Sequence, residues 1–150
     1  MCKGYAQIEG IDFEETFSLV ARMEAIITIL GYACYKQIKV YQMDVKSTFL
    51  NGELEEEVYI EQPQGFLLSK HADFVCTLKK APYGLKQDSR DWYSRLHNYL
   101  QQQGFKRESV DINLNIKMDK GNMIIIEVYV DGIILRSDDD RLSQKFAKDM

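Results

Sequence analysis

The chain has 150 residues, a formal net charge of −4, 45% hydrophobic and 28% charged residues, the balance of one globular domain with its own core. No apolar run approaches the roughly 20 residues a membrane helix needs and the first residues form no apolar leader, so the expectation is an intracellular protein with no membrane contact. Cys2, Cys34, Cys76, His71 and His97 are too scattered for a disulfide framework or a zinc ligand set, and the acidic balance argues against a strong grip on nucleic-acid phosphate by this chain alone.

Residues up to 18 read as loop, broken by Gly4 and Gly10. Ser18 is a candidate cap for a helix beginning near Val20, in which Met23, Ile26, Ile27, Leu30 and Cys34 recur at helical spacing. "KVYQMDV" (39–45) reads as a strand, and Asn51-Gly52 as a turn or helix stop. "EVYIEQ" and "FVCTLKK" are the next strands, with Pro63 and Gly65 between them.

"DSRDWYSRLHNYLQQQGF" is the clearest helix. Asp88 or Ser89 supplies its N-cap, Trp92, Leu96, Tyr99 and Leu100 its apolar stripe, and Gly104 its stop. "LNIKM", a turn at Lys120-Gly121-Asn122 and "MIIIEVYV" form a hairpin. Asp131-Gly132 makes a second tight turn, with Gly132 expected to take the positive φ. "IILRS" adds a strand, and Ser137 or Asp138 caps a last helix. The order helix, strand, hairpin, helix, hairpin, strand, helix implies an α+β fold, with helices over one face of a mostly antiparallel sheet. No internal repeat is present.

Two features carry chemistry. Asp44 and Asp131 each end a β-rich run. On neighbouring strands their carboxylates would share one sheet edge, where like charge raises a pKa and a divalent cation relieves the repulsion; the common alternative is two solvated strand-end acids. "KKAPYGLKQDSR" (79–90) combines Lys79, Lys80, Lys86 and Arg90 with Tyr83, a mix that can hold phosphate and stack on a base. Its ordinary reading is a solvated loop before a helix, and Asp88 and Asp91 dilute its charge.

Taken together, "GYAQIEGIDFEETFSLVAR", "VYQMDVKSTFLNGELEEEVYIEQPQGF", "LKKAPYGLKQDSRDWYSRL" and "EVYVDGIIL" resemble, in order and over nearly the whole chain, the reverse transcriptase domain of copia-type LTR retrotransposons. The resemblance implies a polymerase palm sheet backed by helices with part of the fingers, over residues 1–150 as one partial domain. It implies that Asp44 and Asp131 are catalytic metal ligands, with the backbone carbonyl of Val45 beside them. It implies that Lys46, Ser47 and Thr48 cradle the triphosphate and that Phe49 blocks a ribose 2′-hydroxyl. Tyr83, Gly84 and Lys86 would line the nucleotide and template pocket. The implied cofactors are two Mg²⁺ (or Mn²⁺) ions. The implied partners are a primed RNA or DNA template and dNTPs, and the implied location is the cytoplasm, within a virus-like particle. By the same resemblance the chain begins after the basic fingers residues and ends before the thumb and RNase H.

The turn that reads Tyr-Val-Asp-Asp in that family is Tyr129, Val130, Asp131 and Gly132 here. Gly132 therefore stands where the second aspartate is usual, which implies weakened metal binding and a chain that polymerises poorly or not at all. Leu19 stands for a usual proline, Ile27 for an arginine and Pro82 for a leucine. Asp88-Ser89 replaces a small residue and a proline, and Asp91 a small residue. The last two changes put acids where nucleic-acid phosphate is expected, weakening binding. Other readings of the same residues are a non-catalytic remnant that binds nucleic acid or protein, and an α+β interaction module with a coincidental acid pair.

Overall fold

The computed structural model describes residues 4–14, 16, 21–63, 65–66 and 73–150; Cys2, Ser18, Leu19, Val20 and His71 lie outside them. In chain order the elements are α1 (Met23–Lys36), β1 (Val40–Asp44), β2 (Glu53–Glu61), β3 (Val75–Lys80), α2 (Asp88–Gln102), β4 (Lys106–Arg107), β5 (Leu114–Asp119), β6 (Asn122–Tyr129), β7 (Gly132–Ser137) and α3 (Asp140–Asp149). Short 3₁₀ turns stand at Gly4–Ala6 and Thr48–Asn51. The chain forms two compact units, one from residues 1–17 and 49–95, the other from 18–48 and 96–150.

The second unit is built on a five-stranded sheet in the order β1-β7-β6-β5-β4, antiparallel at every neighbour pair. Strand side chains alternate between faces, and register sorts them. Ile124, Ile126 and Val128 of β6 lie opposite Ser137, Leu135 and Ile133 of β7, and all six are buried. Lys117 lies opposite Ile124 on this face, with its ammonium 5.6 Å from the centre of the Phe105 ring. Phe105 in turn meets Phe146 of α3 edge-on at 5.8 Å. The other face carries Ile125 opposite Arg136 and Glu127 opposite Ile134. There the Arg136 guanidinium stacks 4.4 Å from the ring centre of Tyr32 on α1.

Helices therefore cover both faces, not the single face the sequence reading gave. The cause is local: "MIIIEVYV" is apolar at both parities, the pattern of a strand buried on two sides. α1 also buries a different side from the one its spacing suggests. The spaced residues Met23, Ile27 and Leu30 are 65%, 61% and 44% exposed, Cys34 is exposed, and Ile29 and Ala33 are the buried ones. α1 is apolar around most of its circumference, so periodicity could not choose a side. It starts at Met23 behind Arg22, which makes no side-chain cap bond.

Helix ends follow backbone chemistry. Gly104 (φ 85°) closes α2 as the N–H groups of Gly104 and Phe105 donate to the carbonyls of Gln101 (2.9 Å) and Leu100 (3.0 Å), the paired Schellman bonds. Gln37 (φ 55°) makes the same closure for α1, its N–H and that of Ile38 donating to Cys34 and Ala33 at 3.2 and 2.9 Å. Asp139, not Ser137 or Asp138, caps α3, accepting from the Arg141 N–H at 2.9 Å.

In the first unit β2 and β3 pair antiparallel, and β2 begins at Glu53, earlier than "EVYIEQ" suggested. The Arg90 guanidinium joins Glu56 at 2.6 Å and Asp91 at 2.9 Å. A β-carbon on Gly4 would stand 1.8 Å from the Gly84 carbonyl oxygen, so only glycine fits there.

Candidate active site

β1 and β7 are hydrogen-bonded neighbours in which Asp44 lies directly opposite Gly132. One residue further, the Val45 N–H donates to the Asp131 carbonyl at 3.0 Å. The two acids singled out in the sequence thus stand at one end of one strand pair, and both side chains are exposed.

The turn differs from the expected one. Tyr129 and Gly132 face each other as the last pair of the ladder, so the two turn residues are Val130 and Asp131. Val130, not Gly132, holds the left-handed backbone, at φ 55°. Asp-Gly is a strong hairpin signal, but the register that puts Gly132 opposite Tyr129 and Asp44 moves the turn back by one residue. Gly132 is not in the left-handed region, and among the described residues a β-carbon there would meet the Tyr129 carbonyl oxygen alone, at 3.3 Å. Backbone conformation therefore admits an aspartate at 132 after a shift of a few tenths of an ångström. Its side chain would share a sheet face with Asp44, as cross-strand partners do.

The residues after Asp44 divide into two kinds. Thr48 is fully buried, and its hydroxyl donates to the Val45 carbonyl, so it ties down the turn that follows β1. Lys46 and Ser47 are exposed, with Ser47 at φ 55°.

In the first unit, Phe49 is half-buried and packs edge-on against Tyr83 with ring centres 4.8 Å apart. Tyr83 is 42% exposed. Gly84 (φ 106°) turns the chain, and its N–H donates to the Asp88 carboxylate at 3.2 Å. The Lys86 N–H donates to Gln7 Oε1 at 2.9 Å, leaving the Lys86 side chain exposed.

Asp88 and Asp91 are not surface acids. They are 7% and 5% exposed, one bonded to Gly84 and Ser89, the other to Arg90. Burial raises both carboxyl pKa values, against those bonds. Contrary to the expectation from sequence, neither acid presents its charge to phosphate at the surface, because both are turned inward.

Residues 1–150 match the family model described as reverse transcriptase (RNA-dependent DNA polymerase). The chain belongs to the reverse transcriptase family. Among its relatives is the Retrovirus-related Pol polyprotein from transposon TNT 1-94 of Nicotiana tabacum, 40% identical over 149 residues that cover 99% of this chain and 11% of that protein. The Pol polyproteins from transposons RE2 and RE1 of Arabidopsis thaliana are 40% and 39% identical, each over 98% of this chain and 11% of their own length. These relatives are copia-type, and the chain spans about 11% of their length. No solved structure matches.

Reverse transcriptases generally use divalent metals. The donors this reverse transcriptase chain offers at the β1–β7 end are the carboxylates of Asp44 and Asp131 and the carbonyl of Val45. Among the described residues no group of three or more acidic, histidine or cysteine side chains could hold a metal ion, and position 132, opposite Asp44, contributes no side-chain oxygen. Such a set suits a cation that completes its shell with phosphate oxygens and water, as Mg²⁺ does, rather than a cage closed by protein alone.

Sequence reasoning passed over Glu127 and Asp111. Glu127 is fully buried on the same sheet face as Asp44, one row from the Tyr129–Gly132 pair. Burial first, and then the Asp111 charge, raise its pKa to about 7. The available signal was a lone glutamate inside an apolar strand run.

Proposed function

We propose that this chain is the metal-bearing palm portion, with part of the fingers, of a copia-type RNA-directed DNA polymerase, and that Gly132 leaves its nucleotidyl transfer severely impaired. The observation that carries the reading is the register of β1 on β7, in which Asp44 faces Gly132. The carboxylate that is missing is thus the one across the strand pair from the first catalytic acid.

In this reading Asp44 and Asp131 hold the divalent ions, with the Val45 carbonyl as a further donor. When bound, two such ions would activate the primer 3′-hydroxyl and neutralise the triphosphate and leaving pyrophosphate. Lys46 and Ser47 contact the triphosphate through exposed side chains, and Thr48 acts by fixing the turn that presents them. Phe49, braced by Tyr83, excludes a 2′-hydroxyl. Gly84 and Lys86 face nucleotide and template. The partners are a primed template, dNTPs and the remainder of a Pol polyprotein, and the location is an intracellular particle. Loss of one carboxylate lowers the rate by several decades, each tenfold being about 1.4 kcal/mol of barrier.

The test is Mg²⁺- or Mn²⁺-dependent primer extension by the chain extended with fingers and thumb segments. We expect extension near background, a gain of about a hundredfold or more on Gly132→Asp, and loss of that gain when Asp44→Asn is added. Robust incorporation by the unaltered sequence would contradict the impairment. Silence after Gly132→Asp would move the cause away from this position.

A further inference from the structure

The second unit has a groove of about 780 Å³ between α1 and the β5–β6 hairpin, the size of a drug-like ligand site. Its walls include Ile29, Ile116, Met123 and Ile125. Among the described residues, its charged lining is Glu24, Glu108 and Asp111 against Arg22.

Asp111 gives the groove its chemistry. It is 7% exposed. One of its carboxylate oxygens accepts from the Asn113 N–H at 3.0 Å, while the other is buried with no hydrogen-bond partner among the described residues. Glu127 adds a second acid near it: fully buried, both oxygens without partners among the described residues, and sensing the Asp111 charge. Three of the four carboxylate oxygens of these two acids thus lack, among the described residues, the donors that buried carboxylates ordinarily find.

We propose that this groove is a binding site for an amphipathic amine: a ligand whose hydrocarbon lies on the Ile29–Ile116–Ile125 wall and whose ammonium pairs with Asp111. Charge complementarity selects the head group. A carboxylate ligand meets three acids, a neutral one leaves the Asp111 oxygen unpaired, and an ammonium supplies the missing donor as a charge-assisted bond. Apolar burial selects the tail. The inference stands apart from the polymerase reading, since none of the residues it uses belongs to the proposed metal or nucleotide sites.

The experiment titrates the 150-residue chain with n-octylammonium, 1-octanol and octanoate, following isoleucine and methionine methyl signals by NMR. We expect shifts at Ile29, Ile116, Ile125 and Met123, with octylammonium bound about tenfold or more tighter than octanol and octanoate weakest. Asp111→Asn should erase most of the ammonium preference and keep octanol binding, and Ile116→Trp, which puts a bulkier ring on the apolar wall where the hydrocarbon would lie, should weaken all three. Equal affinities for the three probes on the unaltered chain would overturn the proposal, whether or not the variants fold. So would an ammonium preference that survives Asp111→Asn, or groove methyls that do not move. Groove shifts that grow with protein concentration alone would assign the groove to a second copy of the chain and also overturn it.

Discussion

Val130 carries backbone strain in the hairpin that presents Asp131. A β-branched residue at φ 55° is a genuine outlier, costing on the order of 1–3 kcal/mol. Glycine adopts that conformation freely at an entropic cost of roughly 0.5–1 kcal/mol. Val130→Gly should therefore stabilise the chain by about 1 kcal/mol in urea unfolding; a loss of stability would show that Val130 side-chain packing outweighs the strain. Gly4 is the opposite case. Its missing β-carbon would lie 1.8 Å from a backbone oxygen, that of Gly84, which cannot rotate away. Gly4→Ala should cost more than about 2 kcal/mol, in the range of severe steric lesions, and an unchanged urea midpoint would refute the contact. Gly132 needs no such freedom. The letters Asp-Gly suggest a glycine demanded by the turn, whereas at this position the backbone conformation does not require one.

At the scale of elements, what could be read from the sequence was whatever had a local cause. Gly104 stops α2 because its left-handed backbone closes the Schellman pair, and Gly104→Ala should cost about 1 kcal/mol, seen as a lower thermal midpoint with unchanged helicity below the transition. Lys120 and Gly121, at φ 50° and 86°, make the tight turn between β5 and β6, two of the three residues Lys120-Gly121-Asn122 that signalled it, with Asn122 already in β6. The strand ending at Asp44 was legible from its β-branched and aromatic residues. What was hidden depended on partners distant in sequence. No local pattern shows which side of α1 meets the sheet, that the two-residue β4 pairs with β5, or that Asp88 and Asp91 turn inward. The same limit applied to the candidate site. Asp44 and Asp131 were found by residue type and family resemblance, but the cross-strand position of Gly132 came only from the register of β1 on β7.

For the molecule as a whole, Glu127 ties stability to pH. It is fully buried on the central sheet, and burial together with Asp111 moves its pKa from 4.5 to about 7 in the folded chain. The folded state thus holds this proton to higher pH than the unfolded state does. Between roughly pH 4.5 and 7 the native chain binds more protons, so stability falls as pH rises through that window. Below the window Glu127 is neutral in both states and adds no penalty; above it the penalty is complete, on the order of 3 kcal/mol. Glu127→Gln keeps the shape and removes the titration. Urea midpoints measured at pH 5, 6, 7 and 8 should fall more steeply for the unaltered chain than for Glu127→Gln, with the two curves separating across pH 5–7 and running parallel above it. Asp111→Asn should narrow the separation by lowering the Glu127 pKa, because it removes the like charge while leaving the burial. Parallel curves for all three chains from pH 5 to 8 would mean that Glu127 is solvated in the folded state. An acid in the middle of the apolar run Ile124–Val128 would then have found water that the packing of β5, β6 and β7 does not provide.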